Sequence, residues 1–403
     1  MGVLSSQLTV LLCRQSRALA PEWMWGQGLC EELLRQSLGT NHLHVLESEQ
    51  PFTVGGALQA TQTSNIGIVL DDVSFWGAVG WDTLCDVLGR FPHIGAVGPV
   101  SNEAVGTQQK VAPPFLYQTP WLLGLACRER YRLYQGQWQE VPVLDPFTFL
   151  VRRADLEKLD PNLFLAEVPT ALSQQGRTLA VALDTYVHRY ASMYEQPRPD
   201  LQRWVPRKAR LILDVGCAAG AMGAALKARQ FCQVVGIEAD PLLIEAATKR
   251  LDRVLQTDVE AIAPATFTAE FDCIVCGDVL EHLRDPWSVI AKLATWLRSG
   301  GRLVATLPNV GHWAIVADLL QGRWDLVPFG LLCWGHLRFF TRTGIEGLCN
   351  KNGLVIERLE GLTEKLPPVG ETFIRQAAAL MADVDQESLR TSEFLVVARK
   401  HNL

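Results

Sequence analysis

The sequence lacks the features that mark membrane-spanning and exported proteins. No apolar run approaches the roughly 18 residues that a membrane-spanning helix needs. The first residues, MGVLSSQLTVLLC, carry no positively charged segment and no small-residue cleavage site, unlike a secretory signal peptide. We therefore expect a cytoplasmic protein with no transmembrane segment.

An excess of positive charge is also absent. The chain has 37 Lys and Arg against 43 Asp and Glu, which gives a net charge of -6, and the two signs are interspersed along the sequence. Proteins that coat nucleic acid concentrate positive charge instead. A nucleic-acid partner is therefore not expected.

Ten cysteines are present, but they lack the regular spacing of a disulfide framework. In a chain without an export signal, such cysteines are expected to be reduced and mostly buried. Cys273 and Cys276 form a C-x-x-C pair, yet the surrounding FDCIVCGD has the pattern of a buried strand. Core packing is therefore favoured over a redox motif for this pair.

The length of 403 residues corresponds to two or three domains. Residues 195–210 concentrate three prolines and several charges without a helical or alternating pattern, which is typical of a connection between domains. We predict a first domain over residues 1–194, a linker over 195–209 and a second domain over 210–403.

The second half alternates short apolar runs with helical segments. The runs begin with LILDVG and continue through VVGIEAD, VLQTD, FDCIVCGD and GRLVATLP. This alternation predicts βαβ units and a parallel sheet. Two later runs, GLVIERLE and EFLVVARK, predict an edge pair of strands, so the expected fold is a seven-stranded α/β sheet.

Each of the first four predicted strands in this half ends in a carboxylate. Asp214, Glu238, Asp258 and Asp278 are separated by 24, 20 and 20 residues, with one βα unit in each interval. Ligands of open parallel sheets bind beyond the carboxyl ends of the strands, so these acids should converge on one cleft. The alternative is that each acid merely caps the following helix, which is less persuasive for all four together.

The loop after the first of these strands contains Gly216 and Gly220, which allow a tight turn and close approach of the backbone to a ligand. No Lys or Arg follows in this loop, and its spacing is not that of a phosphate-binding glycine motif. Carboxylates around such a turn favour a ligand rich in hydrogen-bond donors and positive charge.

These motifs resemble the class I S-adenosylmethionine-dependent methyltransferases. The likeness rests on D-x-G-x-A-x-G at 214–220, Glu238 and GDVLEHLRDP at 277–286, and it covers residues 208–400. LPNVGHW at 307–313 and GHLRFFT at 335–341 further resemble a group found beside, or fused to, glycosyltransferases of polysaccharide biosynthesis. Ala218 departs from the motif, which often has glycine at this position. The resemblance implies a Rossmann-like fold.

The resemblance also implies the cofactor S-adenosylmethionine and a role for each motif residue. It places seven residues around the cofactor: Asp214, Gly216 and Gly220 at the methionine end, Glu238 at the ribose hydroxyls, Asp258 at the adenine amine, Val259 against the adenine ring, and Asp278 at the methionine or the reacting centre.

Alignment of donor and acceptor supplies much of the rate of methyl transfer, and a base is needed mainly for weakly acidic hydroxyls. His282, beside Glu281, is the best candidate base. If a helix starts near Asp278, these three residues share one face. Similar groupings in quinone O-methyltransferases are associated with a divalent cation, so a metal site is an alternative. A structural role at a helix N-terminus is the third interpretation.

Residues 309–341 follow the fifth strand of this half and are rich in aromatic side chains, including Trp313, Trp324 and Trp334. Their position predicts a lid that excludes water and shapes the acceptor pocket. His312, Trp313, His336 and Arg338 are the candidate acceptor-contacting residues, for instance to a sugar hydroxyl or an acidic group. Simple packing is the favoured interpretation of any single tryptophan.

The first half resembles family 2 glycosyltransferases of the GT-A fold over residues 8–192. SNIGIVLDDVSFW and HIGAVGPVSN carry the likeness, as do LDPFTFLVRRADLEKL and YVHRYAS. The resemblance implies a metal site at Asp71, Asp72 and His188. Val73 stands where many relatives have another acid, and the short distance from the first strand to Asp71 predicts that one βα unit is missing. We expect a truncated, degenerate domain that binds, docks or stabilises.

Together these patterns predict a methyltransferase that uses S-adenosylmethionine and acts on a small-molecule or glycan acceptor. The resemblance favours O-methylation in sugar or polysaccharide metabolism, with other polysaccharide-biosynthesis proteins as candidate partners. Two rival hypotheses stay open. One is a bifunctional enzyme with an active sugar transferase in its first half, and the other is a noncatalytic module that binds S-adenosylmethionine as a structural ligand.

Overall fold

The computed structural model describes most of the chain, in these ranges: 7–15, 30–31, 34–35, 38, 42–48, 50–70, 75–76, 81–102, 108–112, 120–188, 196–326, 330–363 and 365–401. The chain forms two compact units, Met1–Ala191 and Ser192–Leu403. This boundary lies close to the predicted end of the first domain at residue 194. No helix in these ranges is long and apolar enough to cross a membrane.

The first unit is built on a mixed β-sheet with helices between its strands. The strands are β1 Leu8–Gln15, β2 Leu43–Ser48, β3 Asn65–Val69, β4 Phe75–Trp76, β5 Ile94–Ser101, β6 Trp138–Val141, β7 Thr148–Arg152 and β8 Thr178–His188. The described α-helices are α1 Val54–Ala60, α2 Trp81–Arg90, α3 Pro120–Tyr134, α4 Arg153–Leu156 and α5 Val168–Gln174.

The strand order in this sheet is β2-β1-β3-β7-β5-β8-β4, with β6 paired to β8 outside that path. Strands β1, β2 and β3 are parallel, and β7 runs antiparallel to both of its neighbours, β3 and β5. In the described ranges, only β1 and β2 precede β3, and the missing βα unit stays a prediction because residues 16–29 lie outside those ranges. The glycosyltransferase-like interpretation stays a prediction.

The three metal-side residues expected in the first unit are only partly described. Asp71 and Asp72 lie outside the described residues. His188 ends β8, where burial lowers the pKa of its imidazole to about 3, so the ring is neutral at physiological pH. A neutral imidazole is the form that ligates a metal, but its companion acids are not described here.

The second unit contains the seven strands predicted from the sequence. They are β9 Leu211–Val215, β10 Gln233–Glu238, β11 Arg253–Gln256, β12 Phe271–Gly277, β13 Leu297–Pro308, β14 Leu354–Thr363 and β15 Thr391–Lys400. The described α-helices are α6 Pro199–Gln202, α7 Ala221–Arg229, α8 Pro241–Arg250, α9 Pro286–Trp296, α10 Trp313–Leu320, α11 Arg342–Asn350, α12 Pro368–Leu380 and α13 Gln386–Arg390.

The order of this second sheet is β11-β10-β9-β12-β13-β15-β14. The first five strands in this order are parallel, and β15 runs antiparallel to both β13 and β14. The predicted Rossmann-like α/β sheet with a terminal edge pair is therefore confirmed. Its last strand lies inside the sheet, between β13 and β14, and not at the edge.

Both faces of this sheet are buried, which explains why its central strands are almost continuously apolar. Along β12, Ile274 and Cys276 pack into one hydrophobic cluster, while Cys273 and Val275 pack into another. The side chains alternate between clusters because successive residues of a strand point to opposite faces. Cys273 and Cys276 are thus free, buried core residues, and the prediction that they pack in the core is confirmed.

The segment predicted as a linker is folded against the second unit. Leu201, Val205 and Ala209 are buried in the same cluster as residues of β9 and β12. The Arg229 guanidinium donates hydrogen bonds to the backbone carbonyls of Gln202 and Val205, which holds the segment in place. The prolines, the charges and the lack of a regular pattern predicted a connection between domains, but the apolar residues of this stretch anchor it to the second unit.

Candidate active site

Four carboxylates follow four neighbouring strands of the second unit. The strands β11, β10, β9 and β12 are adjacent and parallel, so their carboxyl ends meet at one edge of the sheet. The chain leaves β9 toward β10 on one side, and β12 pairs with β9 on the other, which makes this point a topological switch where α/β sheets bind ligands. The four acids therefore lie at one edge of the sheet, and their convergence on one ligand cleft stays a prediction.

Asp214, on β9, is buried with 4% of its surface exposed. Its Oδ2 atom has no hydrogen-bond partner within the described structure. Burial, with a smaller contribution from the negative charge of Glu238, raises the pKa of Asp214 to about 7. A buried carboxylate oxygen without a donor is costly, and a ligand that supplies a donor at this position would relieve that cost.

The loop after β9 has the backbone conformation that its glycines permit. Gly216 has φ +67°, and a Cβ there would lie 2.5 Å from Cγ2 of Val279. Gly220 has φ +80° and directly precedes α7. Between them, Ala218 also has a positive φ, 46°, which is unfavourable for a residue with a Cβ. Glycine at 218 in the family motif would fit this backbone without strain.

Glu238, at the end of β10, is oriented by backbone donors. Its Oε2 accepts a hydrogen bond of 2.8 Å from Ala218 N, and its Oε1 accepts bonds of 2.8 Å from Ala239 N and Asp240 N. These contacts fix both carboxylate oxygens at the strand end. Oε1 accepts two hydrogen bonds and Oε2 accepts one, so the open acceptor site is on Oε2. The carboxylate is therefore oriented to accept a hydrogen bond from a ligand hydroxyl.

Asp258 and Val259 lie in the loop after β11. The Asp258 carboxylate accepts a hydrogen bond of 2.7 Å from Glu260 N and caps a short 3-10 helix, while Val259 is buried. Lys292 on α9 donates to the carbonyls of Val259 at 2.6 Å and Ile262 at 2.8 Å, and so holds the loop against the sheet. Lys292 is a positioning residue that no sequence pattern singles out.

Asp278 follows β12 with a left-handed backbone, φ 55°. Its Oδ1 accepts a hydrogen bond of 2.8 Å from the Thr306 hydroxyl, and its Oδ2 is bound by the Arg198 guanidinium. Burial opposes ionisation of Asp278, but a hydrogen bond from Glu393 and the charge of Arg198 outweigh burial and lower its pKa. Asp278 is therefore ionised and held at the cleft.

Arg198 reaches this site from the segment that was predicted as a linker. Besides Asp278, it binds Asp200 at 2.9 Å, and it lies 3.9 Å from the Glu393 carboxylate. Glu393, on β15, has a pKa well above its usual value because of burial and the charge of Asp278. The sequence signal for Arg198 was the cluster of charges in that segment, whereas nothing pointed to Thr306 or Glu393.

Glu281 is almost fully buried, with 1% of its surface exposed. Neither carboxylate oxygen has a hydrogen-bond partner in the described ranges. Burial, reinforced by the charge of Asp278, raises its pKa well above the usual value. Its backbone carbonyl accepts hydrogen bonds from Leu337 N at 2.7 Å and Arg338 N at 3.0 Å, so residue 281 joins the strand-end loop to the predicted lid.

His282 lies on the exposed side of this loop, and its ring contacts a second histidine. Its Nδ1 lies 2.9 Å from the Gly335 carbonyl, and because a carbonyl only accepts, Nδ1 carries the proton in the neutral ring. His336 is held in the same way by the Leu331 carbonyl at 3.0 Å, and burial, with the nearby charge of His282, lowers its pKa to about 4. Both rings thus keep an Nε2 lone pair, and their centroids are 4.9 Å apart.

The geometry changes the expected metal group. Within the described structure, Glu281, His282 and His336 offer ligand atoms that all lie within 4.8 Å of one another. Asp278 is not in this group, and its oxygens are bound by Arg198 and Thr306. The expected shared helical face of Asp278, Glu281 and His282 is also not formed, since the helix there is a three-residue 3-10 turn, Leu280–His282.

The predicted lid, residues 309–341, is pinned at both ends and divides its side chains between core and surface. Asn309 is buried and donates to the carbonyls of Ser388 and Thr391 at 2.8 Å each. Val310 N donates to the carbonyl of Phe340, which closes the loop at its base. Trp324 and Phe339 form an edge-to-face pair at 5.1 Å on the exposed side.

Two of the expected acceptor-contacting residues are buried away from solvent. His312 is 3% exposed and caps α10, where its Nδ1 accepts a hydrogen bond from Ala314 N, and burial lowers its pKa to about 3. Trp313 is 1% exposed and packs against Gly370 and Phe373 on α12. Their burial supports packing over acceptor contact, because α10 turns its first residues inward.

Arg338 bridges the lid to the strand-end loop. Its guanidinium donates to the carbonyls of Leu337 and Arg284 and lies 6.0 Å from the Trp287 ring. Of the four lid residues selected from the sequence, His336 is therefore placed beside His282, and Arg338 is placed against the loop that carries it. The remaining two, His312 and Trp313, are core residues.

A family model described as "Methyltransferase domain" matches residues 186–359 of the chain. Three proteins named "Ubiquinone biosynthesis O-methyltransferase" are similar to it. The one from Idiomarina loihiensis is 30% identical over 171 residues, which are 38% of this chain and 69% of that protein. The one from Azotobacter vinelandii is 28% identical over 40% of this chain and 72% of its own length.

The third protein, from Xylella fastidiosa, is 36% identical over 114 residues, and the match covers 27% of this chain but only 46% of that protein. Among solved structures, a S-adenosylmethionine dependent methyltransferase from Mesorhizobium loti is 15% identical and covers 50% of this chain, with a TM-score of 0.36. A SAM dependent methyltransferase from Archaeoglobus fulgidus is 14% identical over 50% of this chain, with a TM-score of 0.37.

Proposed function

The chain belongs to the class I S-adenosylmethionine-dependent methyltransferase family, with S-adenosylmethionine as its cofactor, and on this premise we propose that it methylates a hydroxyl group of a small-molecule acceptor. The observation that carries the proposal is the tautomer of His282. Its Nδ1 proton is held by the Gly335 carbonyl, which leaves Nε2 as a base at the strand-end cleft.

The residues of the cleft fit the cofactor. Asp214 has a buried oxygen without a donor, and Gly216 allows an approach that a Cβ would block. Glu238 presents an oriented carboxylate for a ribose hydroxyl. Asp258 and Val259 follow β11 on the far side of Glu238, where the adenine end would lie. Arg198 and Asp278 lie at the opposite end, where the amino acid moiety would lie, and their charges are paired with each other.

The chemistry asked of the protein is modest. The cofactor supplies a methyl group on a sulfonium, which is already an activated leaving group. His282 Nε2 would take the proton of the acceptor hydroxyl as the new O–CH3 bond forms and the bond from methyl to sulfur breaks. The Gly335 carbonyl stabilises the resulting imidazolium through Nδ1. General-base assistance of this kind contributes about 10² to 10⁴ in rate.

A divalent cation is a second candidate for activating the hydroxyl. Glu281 has two buried carboxylate oxygens without partners, and the Nε2 atoms of His282 and His336 both carry lone pairs. Carbonyls that fix Nδ1 and leave Nε2 free are a common outer shell of metal-bound histidines. The three residues would hold the ion and lower the pKa of a bound hydroxyl.

The nature of the acceptor rests on sequence resemblance. LPNVGHW and GHLRFFT resemble the group associated with polysaccharide biosynthesis, which supports a sugar hydroxyl in a small molecule or glycan. The relatives named for ubiquinone biosynthesis favour O-methylation over N-methylation. We propose the first unit, with its glycosyltransferase-like sequence, as a recognition platform or as a surface for other polysaccharide-biosynthesis proteins. A bifunctional enzyme would instead hydrolyse a nucleotide sugar and lose that activity in Asp72→Ala.

Replacing His282 tests the proposed base. Labelled S-adenosylmethionine would be used with the full chain to screen phenols, nucleotide sugars and cell-surface glycans for methyl transfer. With an acceptor found, His282→Asn should lower kcat/KM by about 10² to 10⁴ because the proton acceptor is lost. Titration with S-adenosylhomocysteine should show unchanged cofactor affinity in this variant.

The matched control is His44→Asn in the first unit. The His44 ring is exposed, and its Nδ1 is held by the Ala60 carbonyl at 3.0 Å, as in His282, but it lies on β2, far along the chain from the cleft. This variant should keep full activity. Equal activity of His282→Asn and the unmodified chain would contradict the base assignment. Loss of activity on chelation, restored by added cation, would favour the metal alternative.

A further inference from the structure

The second unit has a concentration of positive charge at the edge of the sheet opposite the strand-end cleft. Lys208, Arg298, Arg302 and Arg399 line a depression of about 190 Å³. Lys208 precedes β9, Arg298 and Arg302 flank a glycine turn within β13, and Arg399 is near the end of β15. We call these four side chains and the space between them the basic pocket.

The three arginines of the basic pocket are each fixed through one nitrogen. Arg298 Nε lies 2.6 Å from the Asp272 carboxylate. Arg302 Nε and Arg399 Nε bind the two oxygens of Glu357 at 2.7 Å and 3.0 Å. These contacts hold the planes of the guanidinium groups in place and lower the entropy cost of binding a further ligand.

The terminal amino groups of these arginines have no hydrogen-bond partner among the described residues, and neither has the Lys208 ammonium. Each guanidinium therefore keeps both Nη groups as donors for a ligand. Four cations face two carboxylates, so the basic pocket carries an excess of two positive charges, whereas the whole chain has a net charge of -6. This local charge is opposite in sign to that of the protein.

The basic pocket is separate from the cofactor cleft. It lies at the amino ends of β9 and β12, and the cleft lies at their carboxyl ends. The seven residues of β12, at about 3.3 Å each, place the two sites roughly 20 Å apart. Its ligand is therefore a second molecule, or a distant part of a large one, and not the cofactor.

We propose that the basic pocket binds the phosphate or diphosphate group of a ligand. Planar guanidinium forks match phosphate oxygens in pairs, and a fixed Nε with two free Nη groups presents such a fork. The volume of about 190 Å³ is several times that of a water molecule and is enough for one or two phosphate groups. The proposal does not depend on the identity of the methyl acceptor.

Two binding measurements on the full chain test the proposal. The first is calorimetric titration with inorganic pyrophosphate. The second is cosedimentation with phosphatidylcholine vesicles that contain or lack phosphatidic acid. Saturable pyrophosphate binding supports a soluble phosphorylated ligand. Binding only to phosphatidic acid vesicles supports a phosphate headgroup. In either case the double variant Arg302→Gln, Arg399→Gln should bind about tenfold more weakly or not at all, because two charge-assisted contacts are lost.

The control is Arg375→Gln, which removes an exposed arginine of α12 outside the basic pocket and should leave the affinity unchanged. Affinity for S-adenosylhomocysteine should be equal in all three proteins, which shows that the double variant is folded. No binding of pyrophosphate or phosphatidic acid by the unmodified chain would overturn the proposal. Equal binding by the double variant would overturn it as well.

Discussion

Asp214 combines two properties that oppose each other in a protein interior, a carboxylate and almost complete burial. One oxygen has no donor among the described residues, and the pKa is raised to about 7 by burial and by Glu238. Because the folded-state pKa exceeds the unfolded value, the neutral carboxyl stabilises the fold at low pH, and this stability is lost as the pH rises through about 7. We therefore expect the Asp214 carboxyl to release its proton when a ligand donates a hydrogen bond to it.

Cofactor affinity should depend on pH through Asp214. A donor or positive charge on the ligand favours the ionised carboxylate, so the affinity for S-adenosylhomocysteine should rise about tenfold between about pH 6 and about pH 8. Asp214→Asn should bind more weakly and show no such rise, as measured by calorimetric titration at both pH values. A pH dependence unchanged in Asp214→Asn would assign the proton to another group.

Ala218 stands where the family motif often has glycine. Its φ of 46° is a left-handed conformation that strains the backbone of a residue with a Cβ. Ala218→Gly should raise the free energy of unfolding by about 1 kcal/mol, since glycine adopts this backbone without strain. The control Ala225→Gly, inside α7, should lower it by about 1 kcal/mol. Urea unfolding would measure both, and equal destabilisation by the two changes would show that position 218 is not strained.

Residue by residue, the sequence was most informative where a motif and a strand end coincide. Asp214, Glu238 and Asp278 could be placed because each follows an apolar run, and parallel strands end at one edge. Arg198 could not be placed, because its contact with Asp278 spans 80 residues and depends on how the proline-rich segment folds. Glu393 could not be placed either, because its approach to Asp278 depends on β15 pairing between β13 and β14.

At the scale of elements, the lid depends on how α10 packs against α12. Gly370 on α12 faces Trp313, and a Cβ there would lie 2.8 Å from its ring. The helix–helix contact therefore requires the absence of a side chain at 370. The same contact explains why Trp313, the last residue of LPNVGHW, is buried in the core.

Gly370→Ala should lower the free energy of unfolding by about 1 to 3 kcal/mol, because the added methyl overpacks this contact. Gly347→Ala in α11 is the matched control, since a Cβ there meets nothing within 4 Å. It should raise stability by about 0.5 to 1 kcal/mol through helix propensity. Calorimetric unfolding of the two variants checks both signs, and a neutral Gly370→Ala would mean that the two helices separate easily.

The elements of the second unit were largely predictable, but their irregular parts were not. Apolar runs with regular spacing gave all seven strands, because burial on both faces leaves an unmistakable pattern. An α-helix was expected to start near Asp278. The backbone of Asp278 is left-handed instead, and only a 3-10 turn forms at Leu280–His282. His336 joins His282 only through carbonyl contacts that no sequence pattern encodes.

At the scale of the whole molecule, the chain consists of two units of similar size. The family match covers most of the second unit, whereas the role of the first is a proposal. The second is a methyltransferase domain with its site at one edge of the sheet and the basic pocket at the other. The first is a mixed α/β unit for which we propose a recognition role. Composition and the proline-rich stretch predicted the division, and the fold of that stretch onto the second unit supplied Arg198 to the site.

The central claim is that the strand-end cleft binds S-adenosylmethionine, and calorimetric titration of the full chain with S-adenosylhomocysteine tests it most directly. We predict saturable binding at one site per chain, weakened about tenfold in Glu238→Gln, which keeps one oxygen for the backbone donors but loses the carboxylate acceptor for the ribose. The absence of binding by the folded, unmodified chain would contradict the account.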